Sequence, residues 1–262
     1  MSTDTLKVME SGRWRAPAAH GPVRATLRLP GSKSISNRAL MLAALSDSPS
    51  TLRGLLTARD TSLALAALRV LGCSVDETGG GLSVSAGSLA AGAAVSVDVG
   101  NAGTVMRFLP AVAALSAASV AFDGDPRARE RPIGALLGAL RALGVSIDDG
   151  GRGALPFTIN GSGAVRGGAV TLDASGSSQL VSGLLLAAAR FDRGIEVQHE
   201  GPPVPSLPHI EMTVRMISDA GAEVEVGAGE RPDFWRVRPG RLARGAACQD
   251  RRRTRGGDRW RS

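Results

Sequence analysis

Leu29-Pro30-Gly31-Ser32-Lys33-Ser34-Ile35-Ser36-Asn37-Arg38-Ala39-Leu40 lies where one hydrophobic period gives way to another. Upstream, Val23 to Leu29 alternates apolar and polar residues and reads as a strand that ends at Pro30 and Gly31. Downstream, roughly Ile35 to Leu45 reads as an apolar helix. Between the two sit one lysine, three serines, an asparagine and an arginine. The first turn of a helix offers unpaired N–H groups and the positive end of the helix dipole. Lys33, Arg38 and the serine hydroxyls added to that end make a site for an anion, phosphate or carboxylate. A solvated strand–helix turn is the plain alternative. The stretch is not a Walker A loop, which needs glycine directly before the lysine and again five residues earlier; Ser32 and Leu27 stand there.

The 262 residues suffice for one large or two modest domains. Hydrophobic residues at 43% can fill a core, but aromatics are 3% with no tyrosine, so the core is built from Ala, Leu and Val. Cys73 and Cys248 form neither a metal nor a disulfide spacing. No apolar run is long enough to span a membrane, and MSTDTLKVMESGRWR lacks an apolar signal core, so a cytoplasmic protein is expected. The net charge of +7 invites a nucleic-acid reading. Its distribution argues against one. Residues 241–262 carry eight arginines and two aspartates, which leaves the rest of the chain almost neutral. Few aromatics also weigh against base stacking.

The chain repeats itself. Ala67-Leu-Arg-Val-Leu-Gly-Cys-Ser-Val75 returns as Ala139-Leu-Arg-Ala-Leu-Gly-Val-Ser-Ile147, and more weakly as Met216-Ile-Ser-Asp-Ala-Gly-Ala-Glu-Val224. In each, an amphipathic helix ends at a glycine suited to a left-handed C-cap, and a short strand follows. A second repeat interleaves: a polar or Gly-rich loop opens an Ala/Leu helix at 31–45, 100–116 and 175–190. The chain therefore holds three copies of one β-α-β-α-β unit, which places it in the α/β (α+β) class, with its all-apolar helices packed inward as buried parallel helices. The expected organisation is an extended segment over 1–23, a three-unit domain over 24–240 and an Arg-rich tail over 241–262. A fourth unit is read as starting near Asp233-Phe-Trp-Arg-Val-Arg238 and losing all period after Gly240, as an aberrant end such as a truncation or frameshift near residue 243 would; a native basic tail is the alternative.

Three further segments carry chemistry. Gly100-Asn-Ala-Gly-Thr104-Val-Met-Arg107-Phe108 combines glycines that admit a ligand close to the backbone with Asn101 or Thr104 as caps. Asp123-Gly-Asp-Pro-Arg127-Ala-Arg129-Glu-Arg131-Pro-Ile133 sets three arginines in a loop before a helix, where guanidinium forks grip phosphate or carboxylate. Ser175-Gly-Ser177-Ser178-Gln179 offers neutral donors at a helix start. Each has a structural alternative: a plain helix start, a solvated charged loop, a common serine cap. His209, after Pro208, reads as the opening of a helix.

Taken together and in this order, LPGSKSISNRAL, NAGT-x-MR, P-R-x-x-E-R-P-I and S-S-Q resemble the 5-enolpyruvylshikimate-3-phosphate synthases (3-phosphoshikimate 1-carboxyvinyltransferases). The resemblance covers about residues 14–243, roughly the first half of a family member. It implies two domains of three such units each, with the active site in the cleft between. It implies transfer of the enolpyruvyl group of phosphoenolpyruvate to the 5-hydroxyl of shikimate 3-phosphate, with release of phosphate, through a tetrahedral adduct and without metal or organic cofactor. The positions it implicates are Lys33 and Arg131 as catalytic, and Lys33, Ser34, Arg38, Gly103, Arg131, Ser177, Ser178, Gln179 and Ser206 as substrate-binding. Gly103 matches the glycine that leaves room for phosphoenolpyruvate and for the inhibitor glyphosate; Phe108 stands where many members have proline. The family's second-half aspartate, arginines and lysine have no K-E-[ST]-D-R or D-H-R-M-A counterpart here, which implies impaired activity. A monomer with two small-molecule substrates, and neither nucleic acid nor membrane as partner, is expected. The rivals are the enolpyruvyl transferase acting on UDP-N-acetylglucosamine, whose signature has asparagine where this chain has Ser34, and a non-catalytic anion-binding fragment.

Overall fold

The computed structural model describes residue 21, residues 30–87 and residues 92–242. The strand read at 23–29, the rest of the N-terminal segment and the tail from 243 onward lie outside the described residues. The first unit comprises α1 (Lys33–Leu45), β1 (Ser50–Leu52), α2 (Arg59–Val70), β2 (Ser74–Thr78) and β3 (Gly81–Ser85). The second comprises β4 (Ala94–Asp98), α3 (Gly103–Ala113), β5 (Ser119–Asp123), the short α4 (Pro126–Arg129), α5 (Gly134–Ala142), β6 (Ser146–Asp148) and β7 (Phe157–Asn160). The third comprises β8 (Gly168–Leu172), α6 (Ser178–Ala188), β9 (Ile195–His199), α7 (Leu207–Asp219), β10 (Val224–Val226) and β11 (Phe234–Val237).

Each unit folds into its own sheet, and the orders β4-β5-β7-β6 and β8-β9-β11-β10 are the same topology. The first pair in each is parallel and the others antiparallel. Strands β1-β3-β2 repeat the last three positions of that order. The unit thus has one strand more than the repeats suggest, a hairpin partner inserted at the sheet's centre. This corrects the expected fourth unit: Phe234–Val237 is the closing strand of the third, paired with β9 on one side and β10 on the other. In the first unit the hairpin turns on Gly79-Gly80, since Thr78 pairs with Gly81.

The repeated glycines do the work expected of them. Gly72, Gly144 and Gly221 have φ of 85°, 96° and 104°. Each follows an amphipathic helix, donates its N–H to Arg69, Arg141 or Ser218, and lets the next N–H reach back to Leu68, Leu140 or Ile217. This is the Schellman arrangement, which satisfies the last helix carbonyls and turns the chain into the following strand.

Helices α1, α3 and α6 are buried on nearly all sides, as apolar helices without a polar face must be. They run parallel: Asn37 meets Thr104, and Arg107 meets Gln179, all near helix starts, while Ala44, Leu45, Val112 and Arg190 border one cavity at the other ends. Glycine sets the closest approach. A Cβ on Gly183 of α6 would lie 2.2 Å from the Arg107 carbonyl oxygen of α3. The amphipathic helices tie the units into a ring. Helix α2 packs on β4 of the second unit, α5 on β8 of the third, and α7 on α1 of the first. The packed region runs beyond residue 240, for Leu242 is buried and its carbonyl accepts from Asp47 N–H and Ser46 Oγ. The core is mainly Ala, Leu and Val; its large aromatic members among the described residues are Trp235, Phe108, Phe191 and the stacked pair Phe122 and Phe157.

Two helical glycines should respond oppositely to the same change. Gly183→Ala forces α3 and α6 apart and should lower the urea-unfolding free energy by about 1–3 kcal/mol. Gly138→Ala, on the exposed face of α5 with no atom of another element within 4 Å of the new methyl, should raise it by roughly 0.4–1 kcal/mol. Equal effects would contradict the packing described.

Candidate functional site

The starts of α1, α3, α6 and α7 are brought together by side-chain bonds between them. Arg38, in α1, is 1% exposed. Its Nε donates to Thr213 Oγ1 of α7 at 2.7 Å, its Nη1 to the Ser34 carbonyl at 3.0 Å, and its Nη2 to Ser182 Oγ of α6 and the His209 carbonyl at 3.2 and 3.1 Å. Its guanidinium carbon lies 5.0 Å from the centre of the Phe108 ring of α3, a cation–π contact that gives Phe108 its place. Arg38 therefore touches all three other helices. Burial lowers its pKa to about 10, so it stays charged at neutral pH. Asn37 adds a second tie, its Nδ2 donating to Thr104 Oγ1 at 2.7 Å.

None of these four helices has an acidic residue in its first turn. Carboxylates are favoured there because they neutralise the positive dipole end. Side-chain caps are few as well. Ser32 accepts from Ile35 N–H only at 3.5 Å, and Ser177 from Gln179 N–H at 3.3 Å. Ala102 caps α3 without a side-chain bond, so neither Asn101 nor Thr104 is the cap; Thr104 serves Asn37 instead. Ser206, before α7, holds φ 55°, ψ 50° and makes no capping bond. A non-glycine residue in that conformation carries backbone strain, which tends to collect at functional sites.

Cations stand around these ends without carboxylate partners of their own, apart from one surface pair. Lys33 opens α1, half exposed, with its Nζ 3.2 Å from Asp60 Oδ2. Arg131 donates to the Asn101 carbonyl at 2.9 Å. It lies so close over the first residue of α3 that a Cβ on Gly103 would be 2.3 Å from its Nη2. Gly103 thus makes room for Arg131 in this structure. Arg107, 3% exposed, donates to Gln179 Oε1 at 3.1 Å and to the Pro132 carbonyl at 3.0 Å. Burial, and then the neighbouring charge of Arg131, lowers its pKa to about 10. Two guanidiniums side by side with carbonyl partners only form a locus of unbalanced positive charge.

The residues expected from sequence fall into three sets. Lys33, Ser34, Gly103, Arg131, Ser177, Gln179 and Ser206 sit at or beside the helix starts. Ser178 is there too, but buried. Arg38 is set apart, its guanidinium enclosed and spent on protein groups. Arg107, absent from the expected set, belongs in the site; the signal was an arginine inside an otherwise apolar helix. Ser206 also lines a cavity of about 540 Å³ with His199, Arg231 and the Pro203-Val204-Pro205 loop. A roomier groove of about 860 Å³ lies on the second sheet, but Asp98, Asp123, Asp125 and Asp148 line it against Arg152 alone. Asp123 and Asp125 are paired with Arg129 and Arg59, and the acidic excess left at Asp98 and Asp148 opposes an anion.

No helix among the described residues is long and apolar enough to cross a membrane. The chain aligns with two solved structures of EPSP synthase from Acinetobacter baumannii. One is 26% identical with a TM-score of 0.66, covering 82% of this chain and 47% of that one. The other is 27% identical with a TM-score of 0.66, covering 82% and 48%. The chain thus spans about half the length of the solved proteins it matches. The family model for EPSP synthase (3-phosphoshikimate 1-carboxyvinyltransferase) matches residues 17–248, and the chain belongs to that family.

Proposed function

We propose that this chain forms the shikimate-3-phosphate side, and part of the phosphoenolpyruvate side, of a 3-phosphoshikimate 1-carboxyvinyltransferase site. The observation that carries the reading is the meeting of four helix N-termini free of first-turn acids, flanked by Lys33, Arg107 and Arg131. Two phosphorylated, carboxylated substrates are what such a place suits. In this reading Ser177, Ser178 and Ser206 hold the phosphate of shikimate 3-phosphate, and Ser34 and Gln179 its ring. Lys33 and Arg131 grip phosphoenolpyruvate and stabilise charge as phosphate leaves. Arg38 acts from beneath, as the tie that holds the helix starts together. The reaction joins the 5-hydroxyl oxygen to the enolpyruvyl carbon and breaks that carbon's bond to phosphate, through a tetrahedral adduct. Action in the cytoplasm as a monomer, and sensitivity to glyphosate, are parts of the same reading.

Lys33 needs only to exchange Asp60 for substrate. Its ion pair is exposed, and such pairs contribute about 0–1 kcal/mol. Lys33→Ala should therefore leave thermal stability nearly unchanged while weakening phosphoenolpyruvate binding, read by calorimetry with shikimate 3-phosphate present, by about tenfold or more. An equally large fall in stability would point to a structural lysine. Gly103→Ala should also spare stability, to within about 1 kcal/mol, because only the end of a flexible side chain must move. It should displace Arg131 and weaken phosphoenolpyruvate binding.

The 262-residue polypeptide by itself should bind shikimate 3-phosphate weakly and turn over little. The matched structures carry as much chain again beyond the aligned part, and a positioned general base alone contributes roughly a hundred- to ten-thousand-fold. Phosphate release measured with both substrates tests this; turnover at the rate of a full-length relative would contradict it.

A further inference from the structure

Arg107 is costly to keep. It is a cation 3% exposed, its Nε has no partner, and its two bonds go to neutral oxygens. Arg131, its charged neighbour, repels it. Removing such a group from water costs several kcal/mol, and a well-packed apolar side chain of like size is often no less stable. Stability alone gives it little reason to be there.

Its bonds suggest another. Arg107 Nη1 donates to Gln179 Oε1, which fixes the carboxamide with its oxygen toward α3. An arginine has only donors to offer, so it can accept nothing from the NH₂ end. Gln179 Nε2 is then left as a two-proton donor beside the first turn of α6, where Ser177 and Ser178 stand. Arg107 Nη2 meanwhile holds the Pro132 carbonyl, next to Arg131. One buried guanidinium thus sets the polarity of one site residue and the position of the loop carrying another.

We infer that Arg107 is a positioning residue: it orients the Gln179 carboxamide so that its NH₂ faces the anion, and it seats the Arg131 loop. This rests on the reading of the helix starts as the shikimate-3-phosphate site. Without Arg107 the carboxamide is free to turn its oxygen toward the substrate, where it would repel rather than bind.

The test uses Arg107→Met, Arg107→Lys and Gln179→Glu in the 262-residue chain, with three readouts: thermal midpoint, shikimate 3-phosphate affinity by calorimetry, and the Gln179 side-chain NH₂ resonances by NMR. Arg107→Met should keep or raise the midpoint, lose about tenfold or more in affinity, and move both NH₂ resonances to the shifts of a free glutamine side chain. Arg107→Lys should restore part of the affinity and bring the NH₂ shifts part of the way back. Gln179→Glu gains a charged pair with Arg107, so its midpoint should hold while binding falls. If Arg107→Met loses midpoint and affinity together with the NH₂ resonances unchanged, Arg107 is merely structural and the inference fails. If wild-type chain binds neither shikimate 3-phosphate nor inorganic phosphate, the functional reading fails, and the NH₂ resonances still decide whether Arg107 orients Gln179.

Discussion

Arg38 is the interaction on which this arrangement depends. One buried guanidinium bonds across 175 residues of chain to Thr213, across 144 to Ser182, and locally to the Ser34 carbonyl. It lies against Phe108 as well. Four helices meet at that group, and the starts of all four are where the candidate anion contacts lie. Leaving one donor of such a buried cation unpaired costs about 1–3 kcal/mol or more. The tie is therefore rigid, and it fixes helix ends that mutual dipole repulsion would otherwise drive apart. An anion placed among those ends relieves the repulsion that Arg38 holds in check, so binding and structure use the same electrostatics from two sides.

The architecture follows from the repeat. Each unit buries one apolar helix on nearly all sides and caps one amphipathic helix with a left-handed glycine. Each amphipathic helix leans on a neighbouring unit, and α7 closes on the first through Thr213. Because the three buried helices run parallel, their N-termini gather at one end. Parallel packing is electrostatically unfavourable by itself. Here Gly183 lets α6 approach α3 within backbone contact, and the apolar burial of three helices outweighs the dipoles.

Much of this was legible in the sequence, because its signals are local. The C-cap glycines, the small-residue loops and the apolar helices recur at similar intervals, the glycines Gly72, Gly144 and Gly221 lying 72 and 77 residues apart, and the motifs at 29–40, 100–108, 123–133 and 175–179 mark the helix starts. The missed features depend on distant partners. Strands β3, β7 and β11 each insert between two strands that precede them in the chain, and β11 read as a new unit because the loop at 227–233 separates it from β10. Arg38 and Arg107 look alike as arginines near helix starts. Only the fold shows that Thr213, Ser182 and His209 enclose the first, while the second holds Gln179. Gly103 was read as room for a substrate, and the neighbour it accommodates here is Arg131, 28 positions along the chain.

The central claim is that four helix starts act as one anion site. Backbone amide shifts during titration with shikimate 3-phosphate test it most directly. The account predicts perturbations at residues 32–35, 103–105, 177–180 and 206–209, all following one dissociation constant. Shifts confined to one helix start, separate constants for different starts, or changes centred on the groove of Asp98, Asp123 and Asp148 would contradict it.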